Sequence, residues 1–563
     1  MTLDKTTPLI DFKKGIDEFA QEFVGNRRYR RKFPDGSKII HDPLWGTIKL
    51  EPWEVALLDL PLFQRLRQIH QTSLVSYVFP GCSHTRFEHT LGVLQQTQKL
   101  IDAVNKQYPT DKQKFEPSTI RNLRLAALFH DCGHSCFSHI SEDLYESCPD
   151  MTAFIEMGES PKCHAHEAFS ALIMKSEPVK NYISEIEEHY KIELDIDKAA
   201  ASIIGEPAGG DKKKHYETQV INGPFDADKL DYIFRDAHYS GIPVGLDLDR
   251  LWSSCMVSKT ETGEHVLTLH QASVAPLEQI LFSKINLFSI VYQHPKVRAA
   301  EKMFQSIIEE AKERPKAVYF NASGRRLDLN RSTDYLWLTD EVFFAEALQR
   351  KQDDYLHKKL HDIRYRRLLV RALTISNDTV GEDCGAGFIQ LRKLNQRGSS
   401  IYQAKRELAK LIIQAAHLEG KLDFRDVWVD LPSDPSFGEA DRTFVRTASG
   451  PLRKVSELFP IHYWSELYQK HKWRGHVFCP PDYQQKIYEA SLEVFKHQFF
   501  DLRFKKSAGE TSHVPNPISN LKTPRKRKNT VGQKASEGQQ AISPTKKTRP
   551  MIKQAGRKIT KKT

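Results

Sequence analysis

The chain has 563 residues, too many for one simple core, and its 39% hydrophobic and 28% charged residues are the balance of an ordinary soluble globular protein. Its formal charge of +11 sits in one place: residues 505–563 carry sixteen Lys/Arg against two Glu, a net +14, which leaves the body at −3. A secretory leader is not expected, because Met1 to Lys14 lacks the basic-then-apolar layout, and no uninterrupted apolar run reaches the roughly 20 residues that span a bilayer. Eight scattered cysteines form no framework and fit a reducing compartment, so the expected location is the cytoplasm, or, through the basic cluster at 523–529, the nucleus in a eukaryote.

In chain order, residues 1–37 read as a polar lead with a short helix. Ser37 to Gly46 reads as a strand and turn, and Glu51 to Gln71 as a helix that Pro61 interrupts or restarts. His89 to Tyr108 places Leu91, Leu94, Leu100, Ile101 and Val104 on roughly one helical face, and Thr119 to Phe129 repeats the pattern with Ile120, Leu123, Ala127 and Leu128. Gly205 to Lys214 is a loop by composition. Phe225 to His238 and Leu277 to Ala311 read as helices, and Ala317 to Phe320 as a strand. The result is a mostly α fold: a helical core over 38–312, a mixed α/β lobe over 313–504 and a basic tail over 505–563. Large apolar residues almost vanish in that tail, so it is expected to be disordered. Within it, Thr523 to Asn529 is a compact basic cluster suited to nuclear import or nucleic-acid contact, with a merely solvated tail as the alternative.

The densest chemistry lies in three stretches: Arg86 to His89, Phe129 to His134, and Asp226 to Tyr232. His89, His130, Asp131 and Asp228 together offer two imidazoles and two carboxylates, a ligand set for Mn, Fe, Zn or Mg. His130 and Asp131 are adjacent, so both reach one ion only where a helix ends or bends, and Gly133 permits that change. Cys132 and Cys136 read as small packing residues, since no second cysteine pair accompanies them. Further histidines, His134, His139, His164 and His166, surround the doublet; hydrolysis of a phosphate ester needs a proton for the leaving oxygen, and imidazole suits that work. Asp228, Tyr232 and Asp236 are spaced i, i+4, i+8 and share one helix face, with Lys229 close enough to lend charge to phosphate.

These motifs carry a resemblance. The spacing of His89, His130-Asp131 and Asp228 is similar to that of the HD phosphohydrolases. The stretches Arg86 to Val93, Phe129 to His134 and Asp228 to His238 look like those of deoxynucleoside triphosphate triphosphohydrolases, both the animal SAM-and-HD-domain type and bacterial dNTP hydrolases. Asp59 to Arg67, Tyr77 to Gly81, Tyr292 to His294 and Leu338 to Phe343 extend it, so that it covers about residues 38 to 345. No SAM domain is expected in the short lead. The resemblance implies that His89, His130, Asp131 and Asp228 hold a divalent metal, and that His139 protonates the leaving 5′ oxygen beside His134, His166 and Glu142. It implies phosphate contacts at Arg86, Lys229, Tyr232 and Lys284, sugar 3′-hydroxyl contacts at Gln71 and Asp236, and a wall against a 2′-hydroxyl at Tyr292. Lys38, Asp59, Gln64 and Arg67 resemble a guanine-nucleotide activator site between subunits, which implies an activating nucleotide (GTP or a dNTP) and a homo-tetramer or dimer. In several places the chain departs from the animal type: Glu142 for an aspartate, Lys284 for an arginine, Thr72 for a leucine and His41 for an asparagine.

The expected reaction is therefore metal-dependent cleavage of dNTPs to deoxynucleoside and tripolyphosphate, lowering dNTP pools for housekeeping or antiviral defence. A nucleotide phosphodiesterase or monophosphatase is the alternative within the same chemistry. A nucleic-acid-binding regulator on an inactive scaffold is the alternative outside it. The set of Gln71, Arg86, Tyr232, Asp236 and Tyr292 favours the first, and four intact ligands argue against the last.

Overall fold

The four candidate metal ligands of this chain, His89, His130, Asp131 and Asp228, sit at helix ends. The computed structural model describes residues 6–521, apart from 27, 29–31, 110–113, 157–162, 246, 350, 352–353, 397–398, 436 and 449. Helix α1 (Thr6–Ala20) buries Phe12, Ile16 and Phe19. Strands β1 (Lys38–Asp42) and β2 (Gly46–Leu50) pair antiparallel, and α2 (Pro52–Leu58) follows with proline at its first position and a Glu51/Glu54 capping box. The helix expected over 51–71 stops at Leu58, restarts at Pro61 for one turn and tightens into a 3-10 turn at Arg65–Gln68.

Helix α3 (Arg86–Asn105) opens on a Thr85/Glu88 capping box, which puts Arg86 and His89 in its first turn. Helix α4 (Pro117–Phe129) ends just before the His130-Asp131 doublet. Two helices of the histidine cluster follow, α5 (His139–Tyr145) and α6 (Ala165–Lys175). Asp226 caps α7 (Ala227–Ser240) by accepting from the Lys229 N–H, so Asp228 sits in its first turn. Strands β3 (Cys255–Lys259) and β4 (His265–His270) form a hairpin. The helix expected over 277–311 is two helices, α8 (Val274–Leu287) and α9 (Pro295–Glu313), separated by a π turn at Phe288–Tyr292 and a break at His294, where Pro295 allows a fresh start. Helix α3 packs between α4 and α7, which brings the three ligand-bearing ends together.

The C-terminal part supplies β5 (Val370–Ile375), α10 (Ser399–Ala415), β6 (Trp428–Asp430), β7 (Phe444–Arg446), β8 (Leu452–Lys454), β9 (Gly475–Cys479) and α11 (Gln484–Gln498). Strands β5, β9 and β6 form an antiparallel sheet over a core of their own, formed by residues between 372 and 514. Strands β7 and β8 instead return to the first core, with Phe437, Ala440, Val445, Val455 and Ile461. There β7 pairs in parallel with β4, Thr268–His270 against Phe444–Arg446, giving a sheet in the order β8-β7-β4-β3.

Two expectations need correction. Ala317 to Phe320 is not a strand: the N–H groups of Ala317 and Val318 both bond the Arg314 carbonyl and turn the chain, and the extended pieces are the two-residue strands Asn321–Ala322 and Arg325–Arg326. The tail does not begin at 505. Ala508 and Val514 are buried in the second core, the Lys505 N–H bonds the Thr379 carbonyl at 2.8 Å, and the Tyr488 hydroxyl donates to the Ile518 carbonyl at 2.5 Å. Two small apolar anchors and borrowed hydrogen bonds fold a stretch that composition alone marks as polar. The expected disorder and basic cluster beyond it, residues 522–563, lie outside the described residues. The helical run Gln271–Tyr292, of mean hydropathy 1.3, is long and apolar enough to cross a membrane by length and composition, yet it turns Lys284 and Tyr292 into the central cleft.

Candidate active site

At the meeting point of the helix ends, His89 Nε2 lies 3.3 Å from His130 Nε2 and 3.0 Å from Asp228 Oδ1. Asp131 completes the group, with its carboxylate 3.6 Å from His89 Nε2 and 3.5 Å from His130 Nε2. All four expected metal ligands are thus brought together. The tautomers are set from behind. His89 donates from Nδ1 to Asp231 at 2.7 Å, and His130 donates from Nδ1 to the Ala127 carbonyl at 2.8 Å. Each ring therefore turns its Nε2 toward the other and toward the Asp228 and Asp131 carboxylates, which favour a positive charge at this point, a proton on His89 or a cation in its place. The donor set, two imidazole nitrogens and two carboxylates, fits a divalent metal ion.

Asp231 is itself held by Arg235, at 2.8 and 3.0 Å, and by the Trp45 indole N–H, while Arg235 also pairs with Asp42 at 2.9 Å. This support depends on Gly92, because any Cβ there would overlap Asp231 and Arg235. Gly133 serves in a similar way. It was expected to free the backbone, but its φ is not left-handed; a Cβ would instead collide with the His166 carbonyl and Phe169, so the glycine lets the doublet's turn approach α6. Cys132 and Cys136 are fully buried, burial pushes both thiols up, and neither joins a ligand cluster among the described residues.

Beside the ligands lies a histidine triplet. His134 and His166 stack with ring centres 4.0 Å apart, and the His139 ring meets both edge-on. Glu142 bridges two of them: it accepts from His139 Nδ1 at 2.8 Å through one oxygen and from His166 Nδ1 at 2.8 Å through the other. Burial opposes charge on His166, but the Glu142 carboxylate outweighs it and holds the ring's pKa at about 9. Burial, with Arg86 and charged His166 nearby, pushes His134 well below the imidazole range. The stacked pair is therefore one cation and one neutral ring. His139, whose side chain is 61% exposed, opens into the cleft.

The cleft has a volume of about 2030 Å³, and Gln71, Arg86, Asp131, His139, Asp228 and Tyr232 all line it. Arg86 donates to Asp131 at 2.7 Å. Its Nη2 and the Gln71 Oε1 are buried without a hydrogen-bond partner among the described residues. Asp236 bonds the Tyr292 hydroxyl and, at 2.8 Å, His84 Nε2. Lys229 lines the cleft but is held by Asp226 at 2.6 Å and the Gly223 carbonyl at 3.0 Å. Lys284 pairs with Glu439, which comes from the segment just before β7. His164 stands at the cleft rim, 5.7 Å from the His166 ring centre.

The residues expected to bind an activator gather on the surface. Lys38 Nζ lies 3.7 Å from Asp59, Gln64 donates to the Leu58 carbonyl at 2.7 Å, and Arg67 donates to Gln64 at 2.9 Å and stacks 3.6 Å above the Phe87 ring. Arg65, between them in sequence, points inward and grips the Cys132 and His134 carbonyls, both at 2.8 Å. Sequence reasoning missed Arg65, Asp231, His84 and Glu439. Asp231 and Arg65 lay inside matched stretches, Asp228 to His238 and Asp59 to Arg67, without a role being read for them; His84 and Glu439 reach the site by tertiary folding.

Comparison with known proteins agrees with this geometry. An HD domain matches residues 86–232, the span from Arg86 to Tyr232, and an HD associated region matches residues 246–501. The chain carries an HD domain. Among curated relatives, this HD-domain chain is 28% identical over 381 residues to the human deoxynucleoside triphosphate triphosphohydrolase SAMHD1, covering 64% of this chain and 57% of that protein. It is 30% identical over 308 residues to the SAMHD1 homolog of Dictyostelium discoideum, 53% and 54% of the two chains. An uncharacterized protein of Methanocaldococcus jannaschii is 28% identical over 279 residues, 49% and 51% of the two. The HD-domain chain spans about half the length of the curated relatives it matches.

Proposed function

We propose that the protein hydrolyses deoxynucleoside triphosphates to deoxynucleoside and tripolyphosphate. The observation that carries this reading is one cleft in which a two-histidine, two-carboxylate centre opens beside Gln71, Arg86, Tyr232, Asp236 and Tyr292. Relatives named as deoxynucleoside triphosphate triphosphohydrolases support it. A divalent cation held by His89, His130, Asp131 and Asp228 would supply Lewis acidity for transfer of a phosphoryl group to water. The chain's own residues do the rest. Arg86 offers its unsatisfied Nη2 to phosphate oxygens. Glu142 accepts the Nδ1–H of His139 and favours its charged ring against the burial that opposes it, and in that charged form Nε2–H is the proton that faces the leaving 5′ oxygen. Asp236 and Gln71 receive the 3′-hydroxyl, and Tyr292, tied to Asp236, closes the space a 2′-hydroxyl needs.

The test is incubation of the protein with Mn²⁺ and each dNTP, with separation of nucleoside, tripolyphosphate and pyrophosphate. Deoxynucleoside with intact tripolyphosphate is the expected product pair, and GTP should turn over far more slowly than dGTP. Nucleoside monophosphate with pyrophosphate, or equal rates on GTP and dGTP, would overturn the reading. For the surface patch we propose nucleotide activation coupled to oligomer assembly, since a nucleotide shifts such an equilibrium only by its differential affinity for the two states. Arg67→Ala should raise the concentration of GTP, dGTP or dTTP that gives half-maximal rate and sedimentation shift. Full activity from a monomer with no added nucleotide would contradict it.

A further inference from the structure

The turn that delivers His139 is built from two consecutive residues in the left-handed region, Phe137 at φ 54° and Ser138 at φ 55° with ψ −125°. Neither is glycine or asparagine, so this backbone persists only where its surroundings hold it. The residue that holds it is Asp340, 4% exposed, which reaches in from far along the chain. Asp340 Oδ1 accepts from the Phe137 N–H at 2.7 Å. Its Oδ2 accepts from the His70 N–H at 3.0 Å and meets His70 Nδ1 at 2.6 Å. Ser138 then donates to the His70 carbonyl at 2.7 Å and accepts from Arg86 Nε at 3.0 Å. One carboxylate thus ties the His70 segment leading into Gln71 to the turn leading into His139 and, through Ser138, to Arg86.

We propose that Asp340 is a positioning residue for the proton donor His139, clamping the Phe137-Ser138 turn against the His70 segment. The proposal rests on the role given to His139 above. Asp340 touches no reacting atom; its effect passes through the turn.

Asp340→Asn tests it. Asparagine has nearly the same shape but one acceptor oxygen, so it can satisfy the Phe137 or the His70 N–H but not both. In the full-length, Mn²⁺-loaded protein, kcat and KM are measured on a dNTP, on a phenyl phosphodiester and on bis(4-nitrophenyl) phosphate, whose nitrophenolate leaves without a proton. The expected result is a kcat on the dNTP and the phenyl ester lower by about 10²-fold, the scale of a misplaced general acid. KM, metal content and the rate on the nitrophenyl ester should stay at wild-type levels. Equal losses on all substrates would mean a merely structural role, and no loss on any would mean no role; either overturns the proposal. A wild type that cleaves both aryl esters but no dNTP sinks the dNTPase reading alone, and the two esters still decide on the clamp. A wild type inert on all three overturns both. If the asparagine variant does not fold, Asp340→Glu, which keeps both oxygens but moves them by one methylene, carries the same comparison.

Discussion

Asp231 decides which nitrogen His89 can offer. Its carboxylate takes the Nδ1 proton and leaves Nε2 for a metal, and Arg235 and Trp45 keep that carboxylate in place. Asp231→Asn should therefore weaken divalent-metal affinity by about 10–100-fold, the usual cost of losing a partner behind a ligand, while the four ligands remain. Metal titration with Mn²⁺ reads this directly, and an unchanged affinity would remove Asp231 from the centre. Glu142 acts on stability as well as chemistry. His166 has a folded pKa of about 9, above its ordinary 6.5, so its contribution is complete below 6.5 and is lost as pH rises through about 9. Burial works against the Glu142 charge, but His166 and His139 hold its carboxyl well below the ordinary 4.5, so its contribution is complete above 4.5 and fades as pH falls below it. The gap in melting temperature between wild type and Glu142→Gln should be widest between pH 4.5 and 6.5 and close as pH passes 9. A gap independent of pH would show that Glu142 acts by packing rather than by charge.

At the scale of elements, the close contact of α3 with α7 hangs on Gly92. Gly92→Ala forces Asp231 and Arg235 away and should cost about 1–3 kcal/mol, the range for overpacking, in urea unfolding followed by circular dichroism. A variant as stable as wild type would mean that α7 shifts freely, against the buried Asp231–Arg235 network. The same elements mark what the sequence makes legible. The ends of α3, α4 and α7 are set by Thr85/Glu88, the doublet after Phe129 and Asp226, whereas the four candidate ligands were read from residue type and motif spacing, without those caps. Apolar spacing placed α3 and α4 within a few residues of their observed bounds. The break at His294 was visible only as Pro295, which the apolar run around it masked. Glu439 could not be read at all, because nothing local relates it to Lys284, and Asp340 belonged to a matched stretch without any sign of what it holds. The reach of the fold past 505 was hidden for another reason: Ala508 and Val514 are too few to shift composition, yet each fills a place in a core built elsewhere.

Across the whole molecule, two cores share one chain unevenly, since the 437–461 segment leaves the second to complete the first. Strand β7 joins β4 across some 170 residues of sequence, and Glu439 arrives with it to face Lys284. This gives the fold a timetable. The helix ends that gather His89, His130, Asp131 and Asp228 come from residues 85–232 and can meet early, but one wall of the cleft waits for a partner strand made much later. Long-range pairing of this kind is slow because loop closure is paid before contacts reward it. In refolding from denaturant, Mn²⁺ affinity should therefore return in a faster phase than amide protection of Leu269 in hydrogen exchange, since its neighbour His270 bonds the Ser254 carbonyl and reports only the hairpin. If both return together, the cleft wall and the ligand cluster assemble as a single unit. If they separate, a newly made chain passes through a stage in which the metal-binding ends have met but Lys284 has no carboxylate to face.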